Sequence, residues 1–366
     1  MQGQLSFYDY RKEQSRIKTS IVDEYFRAWA AIITLHTNSA RIGYADLYSG
    51  PGRYKDGTPS TPLIVLRSAI DHKALPSMLV SMFNDAKQEY AEQLSREIAG
   101  LPGIETLKYQ PAVTNEPVGT AFEEFFEQKK LIPTFLFLDP WGVKGLTRRL
   151  MLAVLKDWGS DCVFFFNFDL VRRAFFNPRI IEHAEALFGA ERVKLLQREL
   201  PGKSALEQEG IILDALQESF EEETNAYMLR FRFYDDKAVL KRHLISVSQD
   251  KTGYKIMKDI MGKHSTTVEQ GVPTNEYHPW DANAVRLFTV SQPLDRLLQE
   301  LPHRLAGRSL SVEEVFFEDS YRTPYLLKNY QEVIKKLEAS GHVKIDPPSN
   351  LRAPNTLRKD AIVTFG

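Results

Sequence analysis

The sequence has 366 residues, of which 43% are hydrophobic and 26% are charged, enough for one large folded domain and a small one. This composition excludes a disordered tail protein, a collagen-like chain and a disulfide-stabilised miniprotein. The single cysteine, Cys162, excludes a disulfide framework and a cysteine-based zinc or iron–sulfur site within the chain. The formal net charge is −1, so any binding of nucleic acid has to use local basic patches.

The chain carries no apolar run of membrane-spanning length, and its first 18 residues lack the apolar core of a signal peptide. The sequence therefore predicts a cytoplasmic protein without a membrane partner. Its histidines are scattered without the spacing of metal ligands, so no metal site is predicted.

Up to about residue 170, short apolar runs alternate with helical patterns. An amphipathic helix over 21–35 comes first, and this order predicts βαβ units in a largely parallel sheet. The runs FLFL and CVFFF are typical of strands buried on both faces. The predicted strands are 42–48, 78–83, 106–109, 134–138 and 162–168, and the helices between them are 62–70, 87–98, 119–130 and 146–158.

After residue 168 the pattern changes to helices alone, which predicts a helical insert at about 170–225. Two strand-like runs, 226–234 and 243–248, follow with a link too short for a crossover, so they form an antiparallel hairpin. A parallel sheet that carries a final antiparallel strand is the usual layout of class I S-adenosylmethionine (SAM) methyltransferases. The sequence thus predicts an α/β, Rossmann-like methyltransferase sheet over residues 1–285.

Residues 286–366 differ again, with three helical stretches followed by two strands, the outline of a winged helix. The stretch 324–340 is the predicted recognition helix. Its predicted exposed residues, placed to contact DNA or RNA, are Arg322, Lys328, Asn329, Tyr330 and Gln331. The alternative, a winged helix used for protein contact or dimerisation, stays open.

A glycine turn follows the first predicted strand. Glycine lets the backbone turn tightly and approach a ligand closely, and open α/β sheets bind ligands at the carboxyl ends of their strands. The spacing Asp-x-x-x-Gly-x-Gly cradles the methionine end of SAM in the methyltransferases. The alternative to cofactor binding is an ordinary Gly-Pro-Gly turn with an incidental aspartate. If the turn does bind the cofactor, a charged side chain in place of the second glycine is expected to fill the cofactor cleft. The predicted cofactor-binding residues here are Asp46, Tyr48, Ser49, Gly50 and Gly52.

Two further positions fit the same cofactor. Asp85 follows the second strand, where a carboxylate can accept both ribose hydroxyls. Asn115 ends the third βα unit, where such folds contact adenine. Helix capping by Asp85 and turn formation by Asn115 are the alternatives.

The fourth strand ends in Asp139-Pro140-Trp141-Gly142. This segment resembles the Asp/Asn-Pro-Pro-aromatic motif of amino-methyltransferases, in which the carboxylate and the next carbonyl hold an exocyclic amine in line with the methyl group. The aromatic residue here directly follows the proline, which departs from the motif. Asp139, Pro140 and Trp141 are the predicted catalytic residues; a strand-ending turn with a core tryptophan is the alternative.

Basic residues follow the fourth and fifth strands at the same predicted rim and suit an anionic substrate. Solvated helix faces are the alternative interpretation. The predicted nucleic-acid-binding residues of this rim are Lys144, Arg148, Arg149, Arg172 and Arg173.

In combination, these segments resemble the three-Cys-motif partner protein family. The resemblance implies a methyltransferase-like Rossmann domain, SAM as cofactor and a possible partner, the three-cysteine, radical-SAM-like protein for which the family is named. It is carried by Tyr25 and Trp29, 46–57 with Thr61-Pro62, Asn84-Asp85, 138–142, Asn167 with Arg172-Arg173, and 252–261.

Three functions are compatible with these residues. The first is a SAM-dependent methyltransferase that N-methylates a nucleobase in DNA or RNA. The second is a non-catalytic methyltransferase fold that binds nucleic acid or serves as a partner subunit. The third is a methyltransferase for a small molecule or a protein, which would show no salt-dependent polynucleotide binding.

Overall fold

A computed structural model describes residues 12–37, 39–235, 239–279 and 292–366. The chain divides after Met257, within a helix, into two compact units. The predicted boundary at 285/286 lies outside the described residues. In the described part of the chain, no helix is long and apolar enough to cross a membrane.

The first unit contains a sheet covered by helices. Its strands are β1 (Ile42–Asp46), β2 (Leu79–Asn84), β3 (Ala112–Thr114), β4 (Thr134–Leu138), β5 (Asp161–Phe166), β6 (Tyr227–Tyr234) and β7 (Leu240–Ser248). Its helices are α1 (Glu13–His36), α2 (Thr61–Ile70), α3 (Leu75–Met78), α4 (Gln88–Ala99), α5 (Thr120–Gln128), α6 (Arg148–Leu155), α7 (Phe168–Ala174), α8 (Ile181–Phe188), α9 (Ala190–Glu199), α10 (Ala205–Glu221) and the start of α11 (Lys251–His264).

Within this unit the strands lie in the order β3-β2-β1-β4-β5-β7-β6. Strands β1 to β5 pair in parallel, and β7 is antiparallel to both β5 and β6. This is the strand order of class I methyltransferases, and it confirms the predicted fold class. The order reverses between β1 and β4, so the carboxyl ends of these two strands flank the crevice where such sheets bind ligands.

The centre of the sheet is buried on both faces, as the apolar runs predicted: every residue of β1, β4 and β5 is buried. Helix α1 covers one face with its apolar stripe. Phe26 packs edge-on against Tyr44 at 5.3 Å between ring centroids, and Trp29 lies 5.8 Å from Phe135. Such aromatic contacts anchor α1 beside β1 and β4.

The third strand was predicted over 106–109, and this prediction is wrong. Gly103 adopts a left-handed φ of 86°, and residues Ile104–Thr106 form a 3₁₀ turn instead. The strand that pairs with β2 is β3, only three residues long and partly exposed at the sheet edge. A strand this short has too few residues for an alternating pattern to identify it.

The helical segment after β5 consists of α7, α8, α9 and α10, close to the predicted 170–225. A buried ionic cluster fixes α10 to the hairpin. Glu209 Oε1 accepts hydrogen bonds from Arg232 Nε at 2.6 Å and from His243 Nε2 at 2.9 Å. Burial opposes ionisation of Glu209, but the hydrogen bond from His243 and the charge of Arg232 outweigh it and lower its pKa to about 2.

We expect Glu209→Ala to lower the free energy of unfolding by about 3–5 kcal/mol, because Arg232 and His243 lose their buried partner. Urea unfolding at pH 7 measures the change. Glu218→Ala, an exposed position on the same helix, is the control and should change it by less than about 0.5 kcal/mol. Since the folded-state pKa of Glu209 is depressed, its contribution is present above pH 4.5 and is lost as the pH falls towards 2. Equal effects of the two substitutions would contradict this role.

The second unit contains a three-stranded antiparallel sheet of order β11-β13-β12 with helices packed on it. Its remaining elements are β8 (Val268–Glu269), β9 (Val272–Pro273), β10 (Glu276–Tyr277), α12 (Pro293–Arg304), β11 (Ser309–Ser311), α13 (Val312–Asp319), α14 (Leu327–Ala339), β12 (Val343–Asp346) and β13 (Ile362–Phe365). Three helices with a terminal hairpin confirm the predicted winged-helix class.

Two of the residues predicted to be exposed on α14 are buried. Asn329 caps the helix by accepting from the Leu326 amide at 2.8 Å, and Tyr330 donates its hydroxyl to Asp319 at 2.7 Å. Their positions fall on the apolar stripe of α14, so they face its core. Part of the outer face of α14 is covered by residues 349–359, whose backbone carbonyls accept hydrogen bonds from Gln331 and Lys335. Lys328 stays exposed near the start of the helix.

Candidate cofactor and substrate site

The carboxyl ends of β1, β2 and β4 place acidic side chains at one edge of the sheet. Asp46 ends β1 and is 1% exposed, and Asp139 directly follows β4. Parallel pairing of β1 with β4 sets Asp46 opposite Phe137, so both carboxylates belong to the same rim. They line one cleft together with Lys18, Ser49, Ser60 and Thr61.

The glycine turn after β1 has the tight backbone conformation that a ligand-binding turn at this edge of the sheet requires. Gly50 and Gly52 have φ values of 65° and 83°, which non-glycine residues rarely adopt. Ser49 donates its hydroxyl to the Asp46 carbonyl at 2.7 Å, and the Gly50 amide donates to Asp85 Oδ2 at 3.0 Å. The structure thus brings the predicted residues of the first two strands into contact.

The prediction that a charged side chain at Gly52 would fill the cofactor cleft is wrong. A Cβ atom there would lie 2.9 Å from Leu94 Cδ1 and 3.4 Å from Glu97 Cβ, both on α4. The glycine is needed for close packing of the turn on α4, not for clearance towards the cleft. A charged side chain at this position would disturb that packing rather than fill the cleft.

Asp85 and Asn115 lie next to each other at the ends of β2 and β3. Asp85 Oδ1 accepts from the Lys87 amide at 2.9 Å, so this carboxylate caps the following segment as well as the glycine turn. Asn115 donates its side-chain amide to the Asp85 carbonyl at 2.8 Å. Between them, fully buried Asn84 accepts from the Thr114 hydroxyl at 2.9 Å and ties β2 to β3. Their roles towards a ligand stay predictions.

Tyr48 belongs to the same turn but points to the loop after β4. Its hydroxyl donates to the Lys144 carbonyl at 3.0 Å, and burial raises its pKa. Gly145 has to be a glycine, because a Cβ atom there would lie 2.2 Å from that hydroxyl. Tyr48 therefore positions the loop that carries Trp141, and so acts on both predicted sites.

Among the residues that the structure describes, no cation is in hydrogen-bonding contact with the Asp46 carboxylate. Burial raises its pKa to about 8, and the negative charge of Asp139 adds to this effect, whereas the Tyr48 amide at 3.1 Å lowers it. A cation bound beside this carboxyl would stabilise its ionised form, which burial disfavours. In the same cleft, the Ser60 hydroxyl is buried and has no hydrogen-bond partner among the described residues. The Asp46 carboxyl and the Ser60 hydroxyl thus present two polar groups for hydrogen bonding to a ligand in this cleft.

Lys18 is the residue of this site that the sequence reasoning missed. It comes from α1, is 4% exposed, and forms an ion pair with Asp139. Its ammonium also lies 5.0 Å from the centre of the Phe165 ring. A signal existed: Lys18 stands on the apolar stripe of α1, four residues before Val22 and seven before Tyr25, where a lysine needs a buried partner. The Lys18 side chain lines the cleft, whose volume is only about 20 Å³.

The basic residues predicted for the rim are mostly engaged in ion pairs. Arg149 pairs with Glu127 at 2.6 Å, and Arg148 pairs with Glu223 at 3.2 Å. Arg172 lies 3.4 Å from Asp169, whereas Arg173 contacts a backbone carbonyl and has no carboxylate partner among the described residues. In the other unit, exposed Arg322 adopts a left-handed φ of 63°. Nucleic-acid contact by all of these residues stays a prediction, as it does for exposed Lys144 and Lys328.

Some residues that carry the family resemblance lie at the opposite edge of the sheet. The Tyr25 hydroxyl donates to Asp161 at 2.5 Å, and burial raises the pKa of Asp161 to about 6. A Cβ atom at Gly253 would lie 2.8 Å from that hydroxyl. These residues join α1, β5 and α11 and hold the scaffold, away from the ligand edge. Among the described residues, no three side chains form a candidate metal site.

Comparison with known proteins gives a domain match and several fold similarities. The family model of the GMT-like wHTH domain matches residues 281–350, and no curated protein matches the sequence. The chain is similar to LPL1258 from Legionella pneumophila, with a TM-score of 0.39 and 11% identity over 67% of this chain and 88% of that one. The chain is also similar to an O-methyltransferase from Bacillus cereus in complex with SAH, with a TM-score of 0.34 and 14% identity over 67% of this chain and 84% of that one. For a putative O-methyltransferase from Klebsiella pneumoniae, the TM-score is 0.35 and the identity is 14%, again over 67% of this chain and 84% of that one. The fold assignment rests on the strand order of the sheet itself.

Proposed function

We propose that this protein is a SAM-dependent methyltransferase whose target is an exocyclic amine of a nucleobase in DNA or RNA. The observation that carries the proposal is the cleft in which buried Asp46, the Ser60 hydroxyl and Asp139 meet at the ligand edge of the sheet. The strand order and the winged-helix domain support the reaction and the substrate class, respectively.

The residues of the cleft suit the amino-acid end of SAM. Asp46 offers a buried carboxylate for an ammonium group, and the Ser60 hydroxyl, at the N-cap position of α2, is available for a carboxylate. Asp85 and Asn115 lie where the ribose and the adenine would bind. When bound, SAM supplies a methyl group that is electrophilic at carbon. Because a cleft of about 20 Å³ is too small for the cofactor, side chains that line it, Lys18 among them, have to move for the cofactor to enter.

Asp139 then positions the target nitrogen. Once Lys18 leaves, the carboxylate and the Pro140 carbonyl accept the two N–H bonds of the amine, which directs the nitrogen lone pair towards the methyl group. The nitrogen would gain the methyl group as the bond from the methyl carbon to the sulfur of SAM breaks, with the electron pair going to the sulfur and SAH as the leaving group. The nitrogen would then lose one proton to the solvent. Trp141, 55% exposed, provides a ring beside this acceptor. The step requires neither a metal nor a covalent nucleophile.

Calorimetric titration with S-adenosylhomocysteine (SAH) tests the cofactor assignment. We expect micromolar binding at pH 8 and at least a tenfold loss in Asp46→Asn, because the amide cannot neutralise the ligand ammonium. Asp71→Asn, an exposed position at the end of α2, removes the same charge outside the cleft and should bind SAH as the wild type does. Failure of the wild-type protein to bind SAH at millimolar concentration would refute the proposal.

A second candidate is a non-catalytic methyltransferase fold that acts as a nucleic-acid adaptor or as a subunit of a three-cysteine, radical-SAM-like partner. The Lys18–Asp139 ion pair favours it, since this pair occupies the proposed acceptor of the amine in a cleft of only about 20 Å³. Co-purification of the two tagged proteins, with and without SAH, separates the candidates. A stable complex together with absence of SAH binding would favour the adaptor.

A further inference from the structure

A second cavity adjoins the cleft on the other side of Lys18. It has a volume of about 460 Å³, within the range of small-ligand sites. Lys18 lines both spaces, so the cavity lies directly beside the acceptor Asp139. We call it the cationic pocket; the lining residues that matter here are Lys12, Lys18, Trp141, Phe165, Arg173 and Arg242.

The charges of the cationic pocket are not balanced. Arg242 lies with its guanidinium carbon 5.4 Å from the centre of the Phe165 ring, and no carboxylate of the described residues pairs with it. Among the described residues, Arg173 donates to the Asp169 carbonyl at 3.1 Å and pairs with no carboxylate. The two acids of the lining have other contacts, since Asp169 pairs with Arg172 and Asp235 accepts from the Val239 amide at 3.0 Å. Arginines that line a cavity without acidic partners suit a phosphate group.

The pocket also offers an aromatic surface. Trp141 is 55% exposed on the loop after Asp139, whereas large apolar side chains at the centre of the sheet are buried. Phe165 of β5 also lines the pocket, and the ammonium of Lys18 and the guanidinium of Arg242 lie over its ring. A planar ligand in this pocket can therefore stack on Trp141, and the same pocket supplies cationic side chains for an attached phosphate.

We infer that the cationic pocket binds a single unstacked nucleotide of a polynucleotide, with its base on Trp141 and a phosphate on Arg173 and Arg242. This assignment rests on the proposed function and specifies where its substrate enters. A base stacked on Trp141 places its amine next to Asp139, at the position that the ammonium of Lys18 occupies in this structure. A base reaches such a pocket only from a single strand or by flipping out of a duplex.

Fluorescence anisotropy of labelled, mixed-sequence 15-nucleotide single strands, one of DNA and one of RNA, tests the inference in the full-length protein. We expect Arg242→Gln to weaken binding about tenfold and to reduce the salt slope by about one. Trp141→Ala should weaken it at least about fivefold, the range of one base stacked on an aromatic ring. Arg67→Gln and Trp158→Ala, at exposed positions outside the pocket, serve as matched controls and should stay within twofold.

An abasic strand of equal length separates stacking from phosphate binding. With this strand, the effect of Trp141→Ala should disappear and that of Arg242→Gln should remain. Equal loss in variant and control, or no loss in either pocket variant, would overturn the inference. SAH titration of the same variants distinguishes the two proposals. If both variants bind SAH as the wild type does and their oligonucleotide binding is also unchanged, the proposal for the cationic pocket is rejected and that for the methyltransferase is not. Absence of SAH binding with a loss specific to the pocket variants rejects the methyltransferase alone.

Discussion

Asp139→Ala should reduce methyl transfer by roughly a hundredfold or more while leaving SAH affinity within about threefold of wild type. In the proposed mechanism this carboxylate orients the target amine, and misplacement of a reacting atom by about 1 Å already costs a factor of this size. Transfer of labelled methyl groups from SAM to unmodified DNA and RNA prepared by synthesis in vitro measures the loss. Turnover above a tenth of wild type would show that Asp139 does not hold the amine.

The same substitution also removes the ion-pair partner of Lys18, so a loss of stability has to be distinguished from a loss of chemistry. Lys18 is 4% exposed, and an unpaired buried cation lowers the free energy of unfolding by about 3–5 kcal/mol. The double variant Lys18→Met, Asp139→Ala removes both charges and should recover most of the stability. If the double variant unfolds like wild type yet stays inactive, the defect lies in the orientation of the amine.

The fold was largely predictable because its signals are local. The runs FLFL and CVFFF became β4 and β5, and a short polar link between two strand-like runs allowed only the antiparallel hairpin β6–β7. The turn at Gly50 and Gly52 was predictable from the residue type, since positive φ values favour glycine. The strand β3, three residues long, gave no periodic signal, and neither did the strands β8 to β11, which are two or three residues long.

The composition of the site was predictable only from residues that follow strands. Asp46 and Asp139 carry that local signal, whereas Lys18 reaches the site from α1, 121 positions before its partner. Arg242 lies on a strand of the hairpin and reaches the cationic pocket through the pairing of β7 with β5. Contacts of this kind depend on how helices and strands pack, and no spacing in the sequence reports them. The direction of the absent Cβ at Gly52 is likewise a property of the packing of α4.

The affinity for SAH should rise about fiftyfold between pH 6 and 8 and then level off. Burial raises the pKa of Asp46 to about 8, so below that value the unliganded protein holds this carboxyl mostly protonated. A ligand ammonium binds the ionised form, and binding therefore releases the proton. Because this release is favoured as the pH rises, the association constant grows about ninefold from pH 6 to 7 and about fivefold from pH 7 to 8, and it becomes constant once Asp46 is already ionised.

Calorimetry at pH 7 in two buffers of different ionisation enthalpy counts that proton directly. Close to one proton should be released per SAH bound at pH 7, and about half of one at pH 8, since the carboxyl is then half ionised. Asp46→Asn has no proton to lose, so its weak binding should be independent of pH over the same range. Asp71→Asn retains Asp46 and should reproduce the wild-type curve. A flat wild-type profile would mean that the ammonium of the ligand binds elsewhere, and Asp46 would then be a structural acid of the turn.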